Sequence, residues 1–186
     1  MGPFNLIIVT MAVNGLTLTL ALGLFLLVLW LDPRRQLNLY YVLFLFMVVL
    51  WTAGSLLGHA LASIGQNIDA IDFGVRLLEV GFVGASIGGY LFTAVLVGTR
   101  GRYFTGVSVA GLLVVFIYQA VLLVSKSATP FSVDGGRLNY SFSPFSVLLF
   151  LLFGGATVLL LWFQRRRVRE RGIWGGLALF VAAQFL

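Results

Sequence analysis

Cysteine is absent from this 186-residue chain, histidine occurs once, proline four times, and charged residues make up only 10%. Without a thiol there is no disulfide framework, no thiolate nucleophile and no cysteine-ligated cluster. The single histidine, His59, cannot assemble an imidazole-rich site, so neither a metal nor a cofactor is expected. A Gly-x-Ser-x-Gly elbow, a phosphate-binding loop and a dinucleotide fingerprint are also missing. The chain is therefore not expected to be an enzyme. Acid is scarce too, six Asp and Glu against twelve Lys and Arg, for a net charge of +6. Charge alone would suit a polyanion, but nucleic acid is not the expected partner, because the basic residues are placed for a different purpose.

What the chain has in abundance is apolar. It is 60% hydrophobic with a mean hydropathy of +1.05, more than one soluble core could hide. A helix needs about 20 apolar residues to cross the hydrocarbon of a bilayer. Five runs reach that length, 4–31, 37–62, 71–98, 105–124 and 144–164, and a sixth covers 173–186. At 1.5 Å per residue the sixth extends about 21 Å, short of a crossing. The expected fold is thus an all-α, polytopic transmembrane bundle forming one domain over 1–186, with five complete spans and an incomplete sixth, as in a piece of a longer protein.

Nine of the twelve basic residues fall between spans: Arg34 and Arg35, Arg100 and Arg102, then Arg165, Arg166, Arg167, Arg169 and Arg171. Short Arg-rich loops stay in the cytoplasm, so the N-terminus is expected outside, with the chain in the plasma membrane. Trp30, Trp162 and Trp174 border the same loops as interfacial anchors, together with Arg34, Arg35, Arg100, Arg102, Arg165, Arg166 and Arg167. The outer loop 125–143 is longer, and Asp134-Gly135-Gly136 is a turn signal inside a partly alternating stretch, which suggests a small hairpin. Connector and lid both remain open for it. Ser143 before Pro144 is a capping start for span five.

Span three is chemically odd. Asp69, Asp72, Arg76 and Glu79 recur at spacings of three and four, within about 80° of arc on a helix that starts early enough. Ionisable groups at this depth are costly unless paired, hydrated or turned inward. Gly74, Gly81, Gly84, Ala85 and Gly88 occupy nearly the opposite side, and span two carries Gly54 and Gly58 four apart, followed by His59. Small faces let backbones approach closely, so Gly54, Gly58, Gly81, Gly84 and Gly88 are the expected packing residues and span three is expected at the bundle centre. Thr10, Asn14 and Thr17 on span one and Tyr118 and Gln119 on span four add polar groups to the outer half. Two readings follow for His59, Asp72, Arg76 and Glu79: a satisfied structural ion cluster, or an outward-facing site for a small polar ligand or a proton.

Several segments together resemble the N-terminal seven-helix domain of bacterial sensor histidine kinases: 37–44, 50–54, 72–81 with its Asp72, Arg76, Glu79 and Gly81, the exit from Phe92 to Arg102, and the basic loop 165–171 before a new span. The resemblance implies a membrane-embedded input module that passes an external or membrane signal to a cytoplasmic transmitter. It also implies a two-component sensor working as a homodimer, and a seventh helix. The chain departs from that pattern by ending inside span six, with no phosphoacceptor or ATP-binding region, and His59 lies in a span. Two other classes compete. One is a structural or accessory subunit of a larger membrane complex, contacting lipid or a pigment whose magnesium His59 could ligate. The other is a small transporter, against which stands the absence of inverted repeats and of paired broken helices.

Overall fold

The computed structural model describes residues 3–31, 35–65, 67–98, 102–124 and 130–165, with the side chains at 3–7, 102–105, 107 and 123 excepted. Arg34, Arg100, Arg166, Arg167, Trp174 and the sixth apolar run lie outside the described residues. Five helices account for nearly all of it: α1 Pro3–Leu31, α2 Gln36–Ser63, α3 Ile68–Val97, α4 Arg102–Val124 and α5 Pro144–Phe163. Four helices, α1, α2, α3 and α5, are long and apolar enough to cross a membrane, and α4 contributes a shorter apolar stretch, Ser108–Leu122. Two strands, β1 Phe131–Asp134 and β2 Arg137–Tyr140, pair antiparallel in the register Phe131 to Tyr140 and Asp134 to Arg137. Gly135 and Gly136 make the turn at φ of 57° and 80°, a backbone region that glycine enters without steric cost.

Local chemistry sets the ends. The Asn67 side chain accepts from Asp69 N–H at 3.1 Å, satisfying one of the orphan donors of the first turn of α3. This cap starts α3 at Ile68, three residues before its apolar run, so Asp69 and Asp72 are helical. Gly98, at φ 78°, closes α3 in the left-handed conformation. Ser143 caps α5, its hydroxyl accepting from Ser146 N–H at 3.2 Å, with Pro144 in the first turn.

Short connections force antiparallel neighbours, and the seam between α2 and α3 is the closest. A Cβ on Gly54 would lie 2.4 Å from Leu78 N, one on Gly81 2.2 Å from Trp51 N, and one on Gly88 2.8 Å from Phe44 Cα. Gly74 faces the Gly58 backbone in the same way. These glycines bring two backbones into direct contact, where the absence of side chains increases dispersion between main chains. Helix α1 leans on α2 through Asn14, which donates to Ser55 Oγ at 2.8 Å, and through Phe25 against Phe46. Most of its apolar side chains are exposed, as lipid-facing residues would be. On its other sides α3 packs against α4 and α5 around Val83, Ile87, Leu91, Val115, Leu149 and Phe153. Helix α3 is consequently the central one, covered by protein along most of its length.

The hairpin rests on the bundle. Leu138 is 4% exposed among Ala62, Ile71 and Val75, and its Cδ2 sits 2.9 Å from where a Gly58 Cβ would be. Gly58 therefore clears the seat for β2.

Candidate functional site: an ionic junction at the hairpin end

Three helix ends meet beside the hairpin, and α3 supplies a charge to two of them. Arg76 is 7% exposed. Its Nε donates to Asp72 Oδ2 at 2.7 Å, its Nη2 pairs with the same oxygen at 2.6 Å, and its Nη1 donates to the Leu122 carbonyl at 3.2 Å. Leu122 lies in the last turn of α4, where carbonyls lack intrahelical partners and the helix dipole is negative. The guanidinium thus caps α4 from the side. Asp72 is the partly exposed member of the pair, at 27%.

Glu79, one turn deeper, is completely buried. Its Oε1 accepts from Ser143 N–H at 3.1 Å, from Tyr118 OH at 3.2 Å and from the Ser146 hydroxyl in a very short bond. Ser143 and Ser146 open α5, so the carboxylate meets the positive end of a helix dipole and three donors at once. The hydroxyls also bond to one another, Tyr118 to Ser143 at 2.6 Å and to Ser146 at 2.7 Å, and Ser143 to Ser146 at 3.0 Å. A buried carboxylate needs this density of donors to remain in the fold. Phe82, stacked between Phe142 at 4.2 Å and Phe150 at 4.5 Å and met edge-on by Trp51, lies beside it on α3.

A second polar group lies under the hairpin. His59 Nδ1–H donates to the Ser55 carbonyl at 2.8 Å, and its ring meets Tyr140 edge-on at 6.3 Å. Burial pushes the Tyr140 hydroxyl above its usual range, and a hydrogen bond with Ser55 partly opposes this. Ser55 is thus the meeting point of Asn14, His59 and Tyr140, joining α1, α2 and β2.

The residues singled out in the sequence therefore divide. Asp72, Arg76 and Glu79 stay together along one face of α3, with Asp72 and Arg76 in an ion pair and Glu79 reaching the hydroxyl network one turn deeper, whereas His59 belongs to the hairpin seat. Among the described residues no hydrogen bond or ion pair joins His59 to the other three. Thr17 bonds back to the Val13 carbonyl. At the opposite end of the bundle Arg165 stacks over Trp162 at 4.8 Å, Trp30 is 83% exposed, and Arg35 precedes α2. Arg102 opens α4. No group of three or more His, Cys, Asp or Glu able to hold a metal occurs among the described residues. Ser146, Ser55 and Tyr140 were not marked by the sequence. Serine is ordinary at a helix start, and only the closeness of α3 to α5 gives Ser146 its partner.

No protein-family model, curated protein or solved structure matches the chain.

Proposed function

We propose that this chain is a membrane-embedded sensory input module with five membrane spans over its first 164 residues. Its N-terminus and hairpin face the exterior of the plasma membrane, and its output goes to a cytoplasmic transmitter. The observation that carries the reading is Glu79. A fully buried carboxylate on the central helix is bonded to both sides of the extramembrane connection, Tyr118 before it and Ser143 and Ser146 after it. A polar ligand, a proton or a change at the membrane surface that moves the hairpin pulls on Ser143 and changes the bonding of Glu79. The relative stability of two bundle packings then shifts by the differential interaction. The glycine seam gives α3 a surface along which small sliding against α2 is possible. The ligand class is small and polar, set by His59 and Tyr140 under the hairpin and by Asp72 at the rim of the junction. The module is not itself an enzyme, and it works as a homodimer, as input modules that pair cytoplasmic transmitters do.

Two measurements test this. With no native cysteine, single cysteines at Ser132 and Arg165 report orientation cleanly: an impermeant maleimide added outside should label the first and spare the second. Labelling of Arg165→Cys from outside overturns the orientation. In the uninterrupted reading frame, Glu79→Gln should change the output of a cytoplasmic signalling region in response to external pH or solutes. Unchanged output in every condition overturns the sensory role. The exposed apolar faces of α1 and α4 favour a second reading, an accessory subunit of a larger complex. Stoichiometric co-purification with other spanning proteins, and no signalling region in the frame, would establish that reading in place of the first.

A further inference from the structure

Between α2, α3 and α4, away from the ionic junction, lies a groove of about 480 Å³ lined by Met47, Gly84, Gly88, Leu112, Phe116 and Gln119 among others. A Cβ on Gly84 would come within 2.4 Å of Met47 Sδ and 3.2 Å of Gln119 Nε2, so the Met47 and Gln119 side chains close over α3 there and form the inner wall of the groove. The volume falls within the range of small-molecule sites, which are apolar with a few placed polar groups.

Gln119 is the polar group. Its Nε2 donates to the Val80 carbonyl at 2.8 Å, which fixes the amide and leaves Oε1 as an acceptor with no hydrogen-bond partner among the described residues. From Val109 to Gln119 the groove runs about 15 Å along α4 at 1.5 Å per residue. Gln119 lies about 7 Å in from the end of α4, below the depth where a charged headgroup is stable, so the complement to its free oxygen is a neutral donor.

We propose that this groove binds a single-chain, neutral, hydroxyl- or amide-bearing lipid, whose donor bonds Gln119 Oε1 and whose tail lies along Leu112 and Phe116. Such binding is independent of any signalling by Glu79.

The test uses the full chain in phosphatidylcholine vesicles and two probes, a long-chain alcohol with a diazirine on its tail and its methyl ether, which has the same chain but no donor. The alcohol should label the peptides containing Met47 and Leu112 about tenfold more strongly than the ether, the order expected for one hydrogen bond. In Gln119→Leu that preference should vanish. In Leu112→Trp, which fills the groove, labelling of both peptides should fall while the exposed face of α1 still labels. Equal labelling by alcohol and ether in the unaltered protein overturns the proposal, whatever the variants do. So does groove labelling no stronger than that of α1, which means bulk lipid alone. A photoreactive side chain at Leu112 that couples to residues 173–186 or to a second copy also overturns it, because the groove is then covered by protein.

Discussion

Replacing Gly81 by alanine adds one methyl group at the closest approach of two helices. The new Cβ would stand 2.2 Å from Trp51 N, 2.5 Å from Trp51 Cα and 2.7 Å from the Met47 carbonyl oxygen. All three obstacles are backbone, so no rotamer change relieves them. Carbon contacts are comfortable at about 3.5 Å or more, so α2 must withdraw by roughly 1 Å. A gap of that size forfeits a quarter to a half of each dispersion contact along the seam, and Gly54, Gly74 and Gly88 share that seam. Overpacking of this kind costs about 1–3 kcal/mol, and the upper end applies where only main chain can yield. Alanine returns up to about 1 kcal/mol of helix propensity, leaving a net loss of about 2 kcal/mol.

The control is chemically identical. Gly23 on α1 has nothing within 4 Å of its would-be Cβ, so Gly23→Ala should be neutral or stabilising by up to about 1 kcal/mol. The two variants should therefore differ by about 3 kcal/mol in reversible unfolding by SDS from mixed micelles, followed by tryptophan fluorescence. A difference below about 0.5 kcal/mol, the usual scatter of surface substitutions, would refute direct backbone contact between α2 and α3.

Glu79→Ala strips the acceptor from Ser143 N–H and removes the anion from the start of α5, a loss of about 3 kcal/mol. Glu79→Gln keeps an acceptor oxygen and should lose less than half as much in the same unfolding assay; equal losses would exclude the acceptor role. Leu138→Ala should weaken the seating of the hairpin by about 2 kcal/mol and speed tryptic cleavage after Arg137 roughly 30-fold, with helix content unchanged; an unchanged cleavage rate would mean that β2 is not held by that contact. The Tyr140 hydroxyl, raised by burial, favours the fold in its neutral form. Its contribution is complete below about pH 10 and is lost as pH rises through the folded value. Tyr140→Phe should remove that alkaline loss above about pH 10, and a loss that persists in the variant would assign it elsewhere.

Physical reach separates what the amino-acid sequence makes legible from what it hides. A glycine face repeated over several turns has one economical use inside a membrane, so the contact of Gly54 and Gly58 with the Gly74 and Gly81 side of α3 could be read from spacing. The Ser143-Pro144 cap is equally local. The charged stripe was legible as a cluster because i, i+3 and i, i+4 positions share a face, whereas its partners were not. Glu79 bonds to residues 39 to 67 positions away, and nothing in a period of 3.6 indicates which helix end approaches. Asp69 lies before the apolar run 71–98 and joins the stripe only because Asn67 caps α3 at Ile68. His59 shares the outer end of α2 with Gly58, and because the glycine face of α3 lies nearly opposite the charged stripe, a residue beside that seam meets the hairpin, His59 through Tyr140. For the hairpin, Leu138 and Tyr140 alternate with polar neighbours on β2, while β1 offers Phe131 and Val133 with equal claim. Only the space above Gly58 decides which strand is buried.

The order of charges along α3 follows from the dipoles of its neighbours. Helix α4 ends and α5 begins on either side of the hairpin, presenting orphan carbonyls and orphan N–H groups respectively. Arg76 meets the first and Glu79 the second, so each charge is placed against the helix end that stabilises it. If the stripe were only a self-sufficient intrahelical ion cluster, inverting every sign would preserve it. The triple variant Asp72→Lys, Arg76→Glu, Glu79→Lys keeps the i, i+4 and i, i+3 pairs but sets a carboxylate against the Leu122 carbonyl and an ammonium against Ser143 N–H. Two helix-end interactions of about 1 kcal/mol each would change sign, and two buried backbone groups would lose partners worth about 1–3 kcal/mol each. The expected loss is at least about 4 kcal/mol, enough to abolish folding of a marginally stable bundle. Retention of stability in the same unfolding assay would mean that α3 carries its charges for itself and that neither helix end depends on them.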